Sequence, residues 1–422
     1  MNSEADEIAS LVLKQFDRLP AKRKPPVRDN GTHEWVPLSG IVARGTNGKA
    51  TCLALATGMK CLPASRLSLA NGVAVHDWHA EILAIRAFNQ FILEECRNIA
   101  LHGRASNFLR LRTEEELAAA DKSAFHGQPF SWKDGITLHM YCSEAPCGDA
   151  SMELTMAAQD DASPWDIPAP QPASVSGSAG SGSGSEPPAL LGRGYFSQLG
   201  VVRRKPARGD APPTLSKSCS DKLALKQCTS LLSSLTSLLV CPDGVYLRTL
   251  VLPESQHSEA GCRRSFSADE GRGGRMHPVA GKQWSGGYAF RPFEVQTTRR
   301  EFSYSRRSVA ARADKTAASN LAVAWARNGL EESLIGGVLQ GRKQFDLRGA
   351  TPVSRRKMWS LATEVAALVG MSCVAIQSLL RSSTYKSVKE GELLSARRQV
   401  KSEARARALA GAWRLSKPPE YI

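Results

Sequence analysis

The stretch HDWHAEILAIRAF, residues 76–88, sets a histidine and a carboxylate at the head of a helix. After His79 and Glu81, the apolar residues Ile82, Ile85, Phe88, Phe91 and Ile92 recur at helical spacing and predict one buried face. A carboxylate in the first turn of a helix is ordinary, because it meets the positive end of the helix dipole, and a histidine can stand beside it by chance. The alternative is a metal ligand with a proton carrier two residues away. Other parts of the chain bear on that choice.

Cys147 in APCGD and Cys219 in SCSDK also stand at turns that open predicted helices. One imidazole and two thiolates suit a catalytic zinc, which takes three protein ligands and keeps a fourth position open. Such a zinc lowers the pKa of its water to about 7, so a base must take a proton and return it to the leaving group. Glu81 is placed for both tasks. H-x-E followed by P-C is the signature of zinc deaminases that attack C4 of cytosine or C6 of adenine. The usual C-x-x-C half is missing, since Ala150 stands three residues after Cys147. A purely structural zinc is normally closed by four protein ligands, and no fourth candidate is close in sequence to any of the three.

Composition narrows the class. The 422 residues suffice for one large domain or two smaller ones, and 42% are hydrophobic, as in globular proteins. The formal net charge of +15 points to a polyanionic partner, nucleic acid first, with solubility as the plain alternative. Ten cysteines without a regular framework read as reduced thiols, and Cys61, Cys96, Cys142, Cys228 and Cys373 read as core. The N-terminus predicts an amphipathic helix over residues 4–19 and resembles neither a signal peptide nor a transit peptide. The apolar run LLSSLTSLLVC falls short of the roughly 20 residues a membrane span needs. The expectation is an intracellular protein of nucleus or cytoplasm, and the basic triplets at 22–24, 203–205 and 355–357 do not decide which.

Strand, turn and helix alternate along the chain, which predicts an α/β fold with a mixed central sheet flanked by helices. Strands are expected in WVPLSGIVAR, ATCLALATGMKC, GITLHMYC, VYLRTLVLP and NLAVAWA, and one long helix after SCSDK. Residues 160–192, rich in Pro, Ser and Gly, predict a disordered insertion, and 254–276 a second, polar insertion. From Arg355 onward the chain reads as helical and strongly basic.

DWHAEILAIR, APCGDASMEL and SCSDKLALKQ are similar to the three zinc-site motifs of the adenosine deaminase domain family that acts on RNA. In that family the second cysteine lies far downstream, in S-C-S/T-D-K, as Cys219 does here. The resemblance covers nearly the whole chain and implies a single editase domain over residues 1–422 with a deaminase-like core. Nothing ahead of it reads as a double-stranded-RNA-binding domain, and Ser151 replaces the arginine of the messenger-RNA editing members. Both features resemble the tRNA-specific branch. That implies zinc-dependent hydrolytic deamination of adenosine to inosine, at adenosine 37 beside the anticodon of alanine tRNA. The rivals are a deaminase of cytidine or of other RNAs, and a catalytically silent, zinc-stabilised RNA-binding protein.

By motif, the resemblance makes His79, Cys147 and Cys219 the metal ligands, Glu81 the proton shuttle and Lys60 an RNA-backbone contact. Met59 departs from the editing members' threonine. It also implies a buried inositol hexakisphosphate, with Arg86, Lys222, Lys357, Tyr385, Lys389 and Trp413 around it and Asp77 with Lys222 relaying to the zinc. Ile85, Leu225, Lys226 and Leu415 depart from the editing members in that shell. Read from the residues alone, the basic tail is equally a solvated or tRNA-binding face.

Overall fold

Helices α1 (Glu4–Asp17) and α2 (Ala80–His102) cover opposite faces of one eight-stranded sheet. This computed structural model describes residues 3–409 apart from 104, 121, 160–162, 164–194 and 206–210. The strands in chain order are β1 (Leu38–Arg44), β2 (Ala50–Thr57), β3 (Thr137–Cys142), β4 (Leu247–Pro253), β5 (Glu294–Thr298), β6 (Ala322–Ala326), β7 (Glu331–Ile335) and β8 (Val338–Leu339). Their order across the sheet is β5-β4-β3-β1-β2-β6-β7-β8. β3, β4 and β5 are mutually parallel and the remaining pairings are antiparallel, so the sheet is mixed, as expected.

The central strands are buried on both sides, which explains why they read as continuous apolar runs. On one face Ile8, Val12 and Phe16 of α1 meet Leu38, Val42 and Leu55. The helix lies close to the sheet because Gly40 has no side chain: a Cβ there would sit 2.6 Å from a methyl of Val12. On the other face Leu83, Phe88 and Ile92 of α2 pack over Ile41 and Leu53.

The expected long helix after SCSDK is broken. Helix α3 (Cys219–Thr229) ends at Ser230, which has φ +57°, and a single turn follows at Thr236–Leu239. Ser230 and Ser233 accept from the backbone N–H groups of Leu232 and Thr236, and such local bonds compete with helix continuation. Residues 254–276, expected as a polar insertion, are folded onto the core. They carry the helix Glu259–Phe266 and bury Cys262, Phe266 and Met276, while their arginines pair with buried carboxylates. The segment 160–192, residue 163 excepted, lies outside the described residues.

The basic C-terminal region is helical, led by α4 (Arg355–Val369) and closed by α5 (Ser395–Arg407). Arg355–Leu380 has the length and apolarity of a membrane span. However, Gly370 breaks it at φ +76°, and Met358, Ala362, Val365 and Ala366 are buried in the core beside α2.

Phe16 is fully buried, with its ring edge-on to Phe302 at 4.9 Å. Phe16→Ala is expected to lose about 3–5 kcal/mol in urea denaturation, with bound metal unchanged in the folded protein. A loss below about 1 kcal/mol would mean that α1 stands outside the cooperative core.

Candidate active site

β2 and β3 both run antiparallel to β1, so their carboxyl ends lie on the same side, where open α/β sheets bind ligands. β2 leads through Gly58 to Lys60 and Cys61, and β3 through Ser143 to Cys147. His79 is the N-cap of α2, and its imidazole makes no capping bond. Ser218 caps α3 by accepting from the Asp221 N–H at 3.1 Å, which fixes Cys219 in the first turn. A ring nitrogen of His79 and the sulfurs of Cys147 and Cys219 all lie within 4.8 Å of one another. The Cys147 sulfur is 3.8 Å from His79 Nδ1 and accepts from the Cys219 N–H at 3.4 Å. One nitrogen and two sulfurs converge here, with His79 and Cys147 lining a cleft and Cys219 buried behind them, and this set fits a zinc with a free coordination position.

That cleft has a volume of about 1340 Å³. Small-molecule pockets are typically about 300–1,000 Å³, so it has room for more than one nucleotide. Glu81 lines it close to the donor set while being 6% exposed. Burial, reinforced by the Cys147 charge, raises its carboxyl above the ordinary value, toward the range a proton carrier needs at neutral pH. A hydrogen bond with Cys219, together with the Lys205 and His79 charges, holds the Cys147 thiol well below its usual range. Burial and the neighbouring Cys147 push Cys219 up. Lys60 is exposed at the same cleft, where its ammonium donates to Asn320 Oδ1.

Behind the donors sits Asp77. One oxygen accepts from the His79 N–H at 3.0 Å, and the carboxylate also takes Lys205 at 2.8 Å, the Ser216 hydroxyl at 2.6 Å and Lys222. Burial alone would raise the Asp77 carboxyl, but Lys205 and Lys222 hold it well below the ordinary range. Lys205 reaches on to the Cys219 sulfur at 3.2 Å. No motif singled out Lys205, which reads in sequence as part of a surface basic triplet; here Arg203 and Lys205 are 1% and 4% exposed. Cys61, expected in apolar surroundings, instead lines the cleft within 4.8 Å of Asp77 and His79 donor atoms.

Asp77 and Lys222 also open onto a second cluster. Arg86 donates twice to the Val353 carbonyl, and Arg355 and Lys389 lie 4.5 and 5.4 Å from the Tyr385 ring centre. Among the described residues, Arg86, Arg355, Lys389 and Lys401 form no ion pair with a carboxylate. Burial, then the Arg355 charge, lowers Arg86 to about 10. Burial also drives Lys401 well below its ordinary value, with Arg397, Arg405, Lys226 and Lys389 adding repulsion. Lys226 is lowered by burial and by Arg397. His76 falls to about 3 from burial and the charges of Arg355, Arg86 and Lys222. Lys357 does not join them: it is exposed, and Arg355, about 200° round α4, takes the inward position. Trp413 and Leu415 lie outside the described residues.

A family model, the adenosine-deaminase (editase) domain, matches residues 54–416. A tRNA-specific adenosine deaminase 1 of Schizosaccharomyces pombe is 35% identical over 366 residues, 85% of this chain and 85% of its own length. The tRNA-specific adenosine deaminase 1 of Saccharomyces cerevisiae is 34% identical over 251 residues, 59% of this chain and 58% of its own. A double-stranded RNA-specific editase, Adar, of Drosophila melanogaster is 27% identical over 262 residues, 60% of this chain and 34% of its own.

Lys205→Met removes the bridge between Asp77 and Cys219 and leaves the three donors in place. Loss of such an outer partner is expected to weaken zinc binding roughly 10- to 100-fold in a chelator competition. Retention of zinc at the wild-type chelator concentration would show that Lys205 does not support the donors.

Proposed function

The chain belongs to the adenosine-deaminase (editase) domain family, and from that premise we propose that its site converts adenosine 37 of alanine tRNA to inosine, by the steps that follow. The protein is an adenosine deaminase, and its reaction is adenosine-to-inosine deamination in tRNA. The observation that carries the mechanism is the buried, protonatable Glu81 lining one cleft with His79 and Cys147, whose donor atoms converge with the buried Cys219 sulfur. Zinc held by those three side chains would supply a water of lowered pKa at the fourth position. Glu81 takes a proton from the attacking water and passes it to N1 of the adenine ring. It then takes the remaining proton from the oxygen now bonded to C6 and delivers it to the amine as the C6–N6 bond breaks, so that adenosine and water become inosine and ammonia. Its raised pKa suits an acid and a base in turn.

The target base must leave its stack to reach the floor of the cleft, which costs a few kcal/mol and favours nucleotides in exposed loops. Adenosine 37, beside the anticodon, is such a nucleotide, and resemblance to the tRNA-specific branch supports alanine tRNA. Lys60 at the rim is the residue we assign to the backbone of the reacting nucleotide.

The second cluster supports a buried inositol hexakisphosphate. Its cations are drawn below their ordinary pKa values by burial and mutual repulsion, and unpaired buried charge is costly. Six phosphates would neutralise it. Arg86, Lys222, Tyr385 and Lys389, joined by Arg355 and Lys401, are the side chains assigned to that group.

Two outcomes test these readings. Glu81→Ala is expected to lose at least about 10²-fold of inosine formation on total tRNA, read by sequencing, while keeping its zinc. If zinc-loaded wild type modifies no tRNA, the silent RNA-binder is the better reading. For the anion the sign follows from the lysines. Their folded pKa values lie below the unfolded value of about 10.4, so the anion-free protein gives up stability as pH falls through that window. Bound polyanion restores the charged form, so the rise in melting temperature on adding inositol hexakisphosphate should shrink as pH climbs from neutral toward 10.4. Comparing loaded with depleted protein at each pH cancels the buried cysteines. An increment that does not vary with pH, with no phosphorylated inositol released on denaturation, would sink the assignment.

A further inference from the structure

One wall of the catalytic cleft has no role in the reaction described so far. It is built from the short strand His33–Trp35, which pairs in parallel with Thr316–Ala318, and from the helical turn Arg306–Ala310. Trp35 is half-buried and faces the same cleft as His79 and Glu81. The Arg306 guanidinium lies 5.9 Å from the indole ring centre, within the range of cation–π contact. Among the described residues Arg306 has no carboxylate partner, and it is exposed. Its neighbour Arg307 is paired with two carboxylates, Glu144 at 3.0 Å and Glu301 at 2.8 Å. The arginine over the ring is therefore the one left available for a ligand.

This wall is tied to the reacting centre through the backbone. Two residues after Trp35, the Pro37 carbonyl accepts from Gly58 N–H at 3.3 Å, and the Gly58 carbonyl accepts from Ala80 N–H at 2.9 Å. Ala80 follows His79 directly. A ring at Trp35 thus stands at a set distance from the donor set, on a cleft too large for a single base.

Extruding the target adenosine strips stacking from its neighbours in the loop. Aromatic faces and guanidinium planes are the groups proteins use to restack splayed RNA bases. We propose that Trp35 stacks the nucleobase flanking the target adenosine, with Arg306 holding the phosphate of that nucleotide. The assignment rests on the tRNA deaminase reading given above. Trp35 acts as a positioning residue that makes the loop's extruded geometry the bound one, and stacking tolerates any base, so it selects a loop shape more than a sequence.

The test is a cycle of enzyme and substrate changes. The substrate is the full-length tRNA in which wild type forms inosine, prepared with an abasic nucleotide on the 5′ or the 3′ side of the target. Absence of inosine in intact tRNA with zinc-loaded wild type would refute the parent reading instead, so the two failures are distinct. Trp35→Ala is expected to lower kcat/KM roughly tenfold, and Trp35→Phe to retain most of it. One of the two abasic substrates should cost wild type a similar factor and cost Trp35→Ala nothing further. Arg306→Gln, at an exposed position, should raise KM several-fold and flatten the salt dependence of binding. If Trp35→Ala melts early or loses zinc, Trp35→Leu, which keeps apolar bulk without a π face, replaces it in the cycle. Independent losses from protein and substrate changes, or no loss from either abasic site, overturn the proposal.

Discussion

The Asp77 carboxylate is the interaction on which the rest of the site depends. It is 6% exposed, and leaving it ionised there is possible only because two ammonium groups, a hydroxyl and a backbone N–H share it. A carboxylate taken out of water without partners costs several kcal/mol even after relaxation, so these partners form part of its folding. Three of them have a second duty. The N–H belongs to His79, Lys205 extends to the sulfur of Cys219, and the Lys222 charge acts on His76 together with those of Arg355 and Arg86. Metal donors and polycation recess are therefore joined at one buried ion, and neither can be repacked alone.

The same logic accounts for where the net charge goes. A surplus of 15 positive charges reads as an outer surface for nucleic acid. Part of that surplus instead points inward. Lys226 donates to the carbonyls of Leu231 and Leu232, and Arg397 to that of Thr229, so backbone dipoles stand in for carboxylates. Such contacts satisfy hydrogen bonds without cancelling charge, which is why burial and mutual repulsion still depress Lys226 and Lys401. Arg264 and Arg275, in contrast, meet Asp149 and Asp221 directly, each carboxylate two residues after a cysteine donor. The first arrangement is short of anion, and the second gives each arginine a carboxylate.

Much of the fold was legible because periodicity and burial agree. Ile8, Val12 and Phe16 on α1, and Phe88 and Ile92 on α2, fall where helical spacing puts them. That His79, Cys147 and Cys219 come together with Glu81 beside them was legible because metal chemistry restricts the residue types that can serve it. Lys205 was hidden, since Arg-Arg-Lys in sequence has the composition of a surface and only the fold supplies Asp77 beneath it. Arg355 and Lys357 could not be told apart by similarity, but two residues on a helix face nearly opposite ways. Residues 254–276 read as a polar segment because of their arginines, and two of those arginines, Arg264 and Arg275, hold it to buried carboxylates. The run after Ser230 looked helical because its leucines are apolar, while the serines between them had the local bonds to stop it.

The missing C-x-x-C has a structural counterpart. In a short motif, chain connectivity brings two cysteines together; here they are 72 residues apart and tertiary packing must do it. Gly148 makes that packing possible. With φ +106° it adopts a conformation that side-chain-bearing residues avoid, and a Cβ would meet Ser218 Oγ at 2.3 Å. The turn after Cys147 is thereby pressed onto the N-cap of α3, the Ser220 hydroxyl bonds the Pro146 carbonyl at 2.8 Å, and the Cys219 N–H reaches the Cys147 sulfur. A ligand pair assembled this way is coupled to the global fold in a way that a local motif is not. Whatever loosens α3 or its contact with Gly148 also parts the two sulfurs, so the affinity of such a site for a metal would measure the integrity of the core as much as the identity of its donors.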